Sequence, residues 1–171
     1  IGTPTEASLL ILGAKKQMYK EDFDFNREEE IVFSSERKLM SVAIKESNEF
    51  TIYTKGALEI LLSKCRFILT DKGVVKLTKQ QLNNIELEVS NQTKNALRTI
   101  GLAYKTTKKI DVKTMEDDLI FIGFCGLGDP PREEVKESLV MCKNAGIKVK
   151  MITGDNKETA ISIANQIGLE K

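Results

Sequence analysis

The stretch Met151-Ile152-Thr153-Gly154-Asp155-Asn156-Lys157 runs from apolar, strand-forming residues through a glycine into a helix-forming segment. At such a junction a glycine lets ligand oxygens approach the backbone, and a hydroxyl together with unpaired helix N-terminal amides can bind a phosphoryl group. Thr153, Gly154 and Asp155 are therefore candidate phosphate contacts; the competing reading makes Asp155 only a helix N-cap. Lys55 stands at a second strand-glycine-helix junction, Lys55-Gly56-Ala57. The chain contains no histidine and no Cys-x-x-Cys pair, which removes an imidazole base and a zinc site from consideration. Chemistry here falls to carboxylates, lysines, arginines, hydroxyls and backbone. A third glycine pattern, Gly123-x-x-Gly126-x-Gly128, fits neither the dinucleotide nor the Walker fingerprint and reads as close strand packing.

Those residues need elements to hold them. Thr3, Pro4 and Glu6 have the spacing of an N-cap, a first-turn proline and a capping-box glutamate, so a helix is predicted to run from there toward Gly13. Ile31 to Phe33 with Met40, Val42 and Ile44, and then Phe50, Ile52 and Tyr53, alternate as a hairpin-like antiparallel pair around the polar turn at 46–49. Leu58, Leu61, Leu62 and Cys65 have helical spacing after Gly56. Strands at 66–69 and 74–77 flank the turn signal Asp71-Lys72-Gly73. Thr78 and Gln81 cap a long helix with a stripe at Leu82, Ile85, Val89, Ala96, Leu97 and Ile100, ending at Gly101. Residues 102–105 read as a strand, and the apolar run Leu119 to Leu127 as a strand covered on both faces.

Asp129-Pro130-Pro131-Arg132 then interrupts the pattern with a rigid, extended dipeptide, which places a domain boundary between 1–128 and 129–171. Beyond it the order is helix 133–144, strand 147–153 and helix 157–167, each helix closed by a glycine. The fold class expected is therefore α+β, an antiparallel sheet flanked by helices, followed by a partial α/β Rossmann-like segment. The acidic runs at 28–30 and 116–118 read as solvated turns. Strand 147–153, without neighbours of its own, is expected to leave exposed edges that could pair with another copy of the chain.

Composition narrows the partners. With 26 Lys and Arg against 25 Asp and Glu, the net charge of +1 gives no field that would draw nucleic acid. Cys65, Cys125 and Cys142 sit in apolar runs and read as reduced, buried thiols. The longest apolar stretch falls far short of the roughly 18 residues of a membrane helix. An abrupt start at Ile1, inside what reads as a helix approach, gives the expectation of a piece excised from a longer chain.

Asp129-Pro130-Pro131-Arg132 and Met151 to Lys157 together resemble the P-type cation-transporting ATPases of the calcium-pump kind. The resemblance extends to Phe33-Ser34-Ser35-Glu36-Arg37-Lys38-Leu39-Met40, similar to the family's F-S-x-x-R-K-x-M stretch, and to Lys55-Gly56-Ala57-Leu58-Glu59, similar to its K-G-A-x-E box. Leu97-Arg98-Thr99 and Thr5-Glu6 match further short segments, in family order over nearly the whole chain. The resemblance implies an adenine pocket in which Phe33 stacks the base, Glu6 accepts from its amine, Lys38, Lys55 and Gly56 line the site, and Arg98 reaches the β-phosphate or ribose. Such chemistry is sensible, since an aromatic face covers a base and cations attract polyphosphate. Taken singly, Phe33 reads as strand core, Glu6 as a capping residue, the lysines as solvated strand positions, and Arg98 as a charge at a helix C-terminus.

By the same resemblance Thr153, Gly154 and Asp155 contact the γ-phosphate and its magnesium, and residues 129–132 form the hinge between a nucleotide-binding and a phosphorylation domain. Such a protein would be the cytosolic portion of an integral membrane protein, coupling ATP hydrolysis through an aspartyl phosphate to transport of a cation, with calcium favoured. The aspartate of the family's D-K-T-G-T stretch is absent from this sequence, so the chain is expected to bind ATP or ADP weakly and not to hydrolyse ATP. Its remaining partners would be the phosphorylation, actuator and membrane domains. Ser35 departs from the arginine many calcium-pump relatives carry, which implies a weaker grip on the phosphates. The rival functions are a free-standing nucleotide sensor and a haloacid dehalogenase-like phosphohydrolase.

Overall fold

In the computed structural model, residues 4–23, 25–94, 97–128, 131–154 and 157–169 are described. The chain divides into two compact units, one of residues 1–82 with 100–127 and one of 83–99 with 128–171.

The first unit opens with helix α1 (Pro4–Ala14), followed by a 3-10 turn at Lys20–Asp22 and the strands β1 (Arg27–Ile31), β2 (Leu39–Glu46) and β3 (Glu49–Ala57). Helix α2 (Leu58–Lys64) leads to the hairpin β4 (Cys65–Thr70) and β5 (Gly73–Lys76); helix α3 (Lys79–Lys94) belongs from residue 83 on to the second unit, and β6 (Arg98–Thr107), from residue 100 on, and β7 (Leu119–Leu127) complete the first. The seven strands form one sheet in the order β1-β2-β3-β6-β7-β4-β5. Neighbours β1 to β2, β2 to β3, β3 to β6 and β4 to β5 are antiparallel, while β4 and β7 run parallel. The expected α+β sheet, mostly antiparallel, is thus present, with β4 and β7 parallel within it.

Alternation along β2 and β3 decides which face is packed. Leu39, Ser41 and Ala43 are buried, as are Ile52 and Thr54 on the partner strand. Ala103, Leu119 and Phe121 continue this packed layer, with Leu58 and Leu61 of α2 and Met115 completing the core. Each large apolar side chain removed from water there stabilises by about 1.5–3 kcal/mol. The opposite face carries Met40, Val42, Tyr53, Lys55, Leu102 and Ile122, and remains partly open.

Several boundaries differ from the sequence expectations. The first strand lies at Arg27–Ile31 instead of 31–33, so Glu28, Glu29 and Glu30 belong to an edge strand and not to a turn. Helix α3 stops at Lys94, and β6 already begins at Arg98. Pairing along β3 from Phe50↔Thr107 to Ala57↔Ile100 outweighs the helical stripe, and Arg98 is therefore a strand residue. Glu116 is buried, and Asp117 and Asp118 are ion-paired to Lys64 and Arg66; this acidic run is structural and not merely solvated. The Thr78–Gln81 capping box forms as predicted, Thr78 N donating to Gln81 Oε1 and Gln81 N to Thr78 Oγ. Thr3 lies outside the described residues.

The second unit contains α4 (Glu134–Asn144) and α5 (Lys157–Ile167), which contact each other. Gly146 and Gly168 follow them at φ +73° and +77°, and Ile147 N and Leu169 N donate back to Cys142 O and Ala164 O, closing both helix ends. Residues 147–154 form no strand. Among the described residues no strand pairs with this segment, so the strand edge from which self-association was expected is not there. Among the described residues no helix is long and apolar enough to cross a membrane.

Candidate functional site

On the open face of the sheet lies a cleft of about 370 Å³, within the usual range for a small-molecule site. Met40, Val42, Tyr53, Leu102 and Ile122 form its floor, and Glu6, Arg27 and Lys55 are its charged members. The register explains the convergence: Met40 lies opposite Lys55 and Val42 opposite Tyr53, while Lys55 and Leu102 are partners across the next strand. Glu6, in the first turn of α1, accepts a hydrogen bond from Lys55 Nζ at 2.8 Å, and both side chains are about 30% exposed. An ion pair so open to water contributes only about 0–1 kcal/mol, so a charged ligand can exchange it cheaply. Two of the sequence candidates are thereby brought together.

Gly56 and Lys38 join them through the backbone. Leu39 and Gly56 are register partners, Ala57 N donates to Lys38 O at 3.0 Å, and a Cβ on Gly56 would lie 2.2 Å from that carbonyl. The lysine side chain is exposed, and Lys38 holds φ +56°. Phe33 sits in the connection before β2 and is 57% exposed; it does not line the cleft, nor is it strand core. Arg98 opens β6, is exposed, and belongs to the second unit. Thr153 and Gly154 are exposed residues of that unit, beside Ile152 at 96% exposure. Asp155, Asp129 and Pro130 lie outside the described residues; Pro131 is half-buried, and Arg132 O accepts from Val135 N at the start of α4.

Sequence reasoning missed a buried polar network beside this site. Arg37 Nε donates to Glu116 Oε2 at 3.0 Å, and Arg37 Nη2 donates to Val32 O and Leu39 O at 2.6 and 2.9 Å. Ser41 Oγ donates to Glu116 Oε1 at 2.8 Å and lies 2.9 Å from Thr54 Oγ1. Glu116 is 8% exposed, Ser41 0% and Thr54 2%. Glu116 is 75 residues from Ser41 in sequence, and no local pattern marks it. The other cleft residues missed include Arg27, Met40, Val42, Tyr53, Leu102 and Ile122; all but Arg27 read in the sequence only as ordinary strand positions.

Titration is perturbed at several groups. Burial, then Glu46 and Tyr104, raises the Tyr53 hydroxyl above its ordinary value. Burial lowers Lys105 despite the nearby Asp117, Asp118 and Asp111, and its ammonium donates to Thr114 O and Asp117 O. Burial pushes the Cys65 thiol up to about 12 and raises Cys125 as well. All three cysteines are free and half-buried, and the two raised thiols are poor nucleophiles.

The family described as "P-type ATPase, cytoplasmic domain N" matches residues 1–134. Calcium-transporting ATPase 1 of Bacillus cereus is 39% identical over 98% of this chain and 19% of its own length. Calcium-transporting ATPase PAT1 of Dictyostelium discoideum is 40% identical over 99% of the chain and 16% of its own length. The plasma membrane-type calcium-transporting ATPase 8 of Arabidopsis thaliana is 36% identical over 98% and 17%. The chain spans a fifth or less of the length of these relatives.

Proposed function

Since the chain belongs to the P-type ATPases and carries their cytoplasmic domain N, we propose that its first unit binds the adenine nucleotide on which such a pump runs. The observation that carries this reading is the cleft on the β2-β3-β6 face, with Lys55 in its lining and the segment 33–38 leading into β2, the neighbouring strand. Lys55 is held by Glu6 in the free chain at 2.8 Å. An incoming nucleotide offers Lys55 a phosphate with more charge than one carboxylate, and offers Glu6 an exocyclic amine in exchange. Phe33 supplies an exposed aromatic face for the base, worth about 1–3 kcal/mol for one stacked ring, and Lys38 and Arg98 add positive potential. Magnesium would be held largely through the nucleotide's phosphates. Thr153, Gly154 and Asp155 contact the γ-phosphate in this reading, and residues 129–132 hinge the nucleotide domain 1–128 to the phosphorylation-domain part 129–171.

The parent protein, in this proposal, transfers the γ-phosphate to an aspartate and couples the phosphoenzyme to cation movement across a membrane, with this chain on the cytosolic side. Calcium is the cation favoured by what the relatives are called. Segment 147–153 becomes a strand of a parallel sheet when the remaining phosphorylation domain supplies its neighbours. This chain alone carries no D-K-T-G-T aspartate and hydrolyses no ATP. A titration of MgATP into the 171-residue chain, followed by amide chemical shifts, tests the reading. Saturable shifts at Phe33, Lys38, Lys55 and Arg98, with Kd on the order of 1 mM, are expected. Unchanged spectra at several-fold that concentration would refute it.

A further inference from the structure

Arg37 and Glu116 have no contact with nucleotide in the function proposed above, yet their bonds converge on the segment that has. Val32 and Leu39 bracket residues 33–38, and the Arg37 guanidinium donates to the carbonyls of both. One side chain therefore ties the two ends of the segment from within. The segment is further closed by Lys38 N to Ser34 O at 2.7 Å and Arg37 N to Ser34 Oγ at 3.2 Å. Lys38 sits at φ +56°, a conformation that a non-glycine residue keeps only where its surroundings over-determine it.

Glu116 anchors this arrangement to the body of the sheet. One carboxylate oxygen takes the Arg37 Nε hydrogen bond, and the other takes Ser41 Oγ. Ser41 and Thr54 are partners across β2 and β3, and Thr54 immediately precedes Lys55. The chain of bonds thus runs from the segment bearing Phe33 and Lys38 to the strand bearing Lys55. A largely buried ion pair is a poor source of stability, because desolvation consumes most of the attraction. Its fixed fork geometry is what an apolar pair could not supply.

We propose that Arg37 and Glu116 are positioning residues of the nucleotide site: their ion pair fixes the 33–38 segment so that Phe33 and Lys38 face the ligand held by Lys55. This inference rests on the nucleotide reading above. The test is a mutant cycle in the 171-residue chain, with MgATP affinity read by amide shifts and folding read by thermal melts. Phe33→Ala/Lys38→Ala should weaken MgATP about tenfold or more, from the loss of a stack and a cation. Glu116→Gln, which keeps size and the acceptor for Ser41, should weaken it about three- to tenfold in the parent chain. In the Phe33→Ala/Lys38→Ala background it should change affinity less than about twofold, because the effect passes through those two residues. Arg37→Lys, which keeps charge and loses the fork, is run through the same cycle, so that one variant failing to fold leaves the other to decide.

An equal loss in both backgrounds, or a lower melting temperature with unchanged affinity, makes the pair a fold anchor only and overturns the inference. Should the Phe33→Ala/Lys38→Ala chain bind MgATP like the parent, the site reading itself fails and takes this inference with it. If that chain binds weakly while Glu116→Gln and Arg37→Lys bind normally, the site stands and the positioning role falls.

Discussion

Replacing Gly56 by alanine adds one methyl group at a tight backbone approach between β2 and β3. The residue is ordinary strand, paired with Leu39 and Gly101, so the cost is steric and not conformational. The new Cβ would lie 2.2 Å from Lys38 O, 2.8 Å from Leu39 Cδ2 and 2.9 Å from Leu39 Cα. To reach even 3.0 Å the carbonyl must retreat by about 0.8 Å, and it is the acceptor of the Ala57 amide at 3.0 Å. Weakening that bond costs about 0.5–1.5 kcal/mol, and overpacking adds about 1–3 kcal/mol. The sum, about 2–4 kcal/mol, corresponds to a fall in Tm of about 5–15 °C for a chain of this size. Gly101→Ala is the matched control, since its Cβ meets the methyl ends of Leu61 and Leu58 at 2.7 and 2.8 Å, which rotate more readily than backbone moves. Gly154→Ala meets nothing within 4 Å and should be neutral. Urea and thermal unfolding, followed by circular dichroism and by β2–β3 amide resonances, give the ranking. A Gly56→Ala chain within about 0.5 kcal/mol of the parent, or one more stable than Gly101→Ala, refutes the packing argument.

Cys65, with its thiol at about 12, should resist iodoacetamide at pH 8 in the folded chain and react once urea unfolds it; rapid native labelling would contradict its burial. Because that folded value exceeds the ordinary 9.0, the thiol's contribution is complete below pH 9 and is lost as pH rises from 9 toward 12; Cys65→Ala should flatten that part of the stability profile. Lys38→Gly relieves a left-handed residue and should hold or raise Tm, whereas Lys38→Val should lower stability by about 1–2 kcal/mol; equal melting of the two would remove the strain argument. Asp117 is held below the usual carboxylate range by the Lys64 hydrogen bond, so stability from that pair is present above about pH 4 and lost as pH falls below it. Lys64→Met should diminish that acid limb slightly. Amides 148–152, outside any strand, should exchange with solvent within the dead time of a manual experiment, and slow exchange there would point to a strand.

Much of the first unit was legible because its signals are local. The alternation at Met40, Val42 and Ile44, the Thr78–Gln81 box and the apolar run 119–127 each specify an element without help from distant residues. What escaped was set by pairing across the sheet. Leu97 and Ile100 continue a helical stripe, yet β6 begins at Arg98, and Ile100 pairs with Ala57 of β3, some 45 residues earlier. Glu116 reads as one of three acids in a turn, and its burial follows from Ser41 and Arg37, both more than 70 residues away. The motif strings Phe33 to Met40 and Lys55 to Glu59 were legible as a family resemblance, but their division of labour was not. Lys55 enters the cleft, Gly56 makes room for a carbonyl, and Arg37 binds the loop on itself.

The strand order has a bearing on how the chain folds as it leaves the ribosome. The meander β1-β2-β3 and the hairpin β4-β5 are complete by residue 76, yet they are not neighbours; β6 and β7, made last, lie between them. Until β6 is made at residue 107, β3 presents an unsatisfied edge, and β4 does so until β7 is complete at residue 127; each is a template for misassembly. Sealing of the sheet therefore waits for its centre, and a nascent polypeptide halted before residue 98 would be two separate pieces joined by a helix.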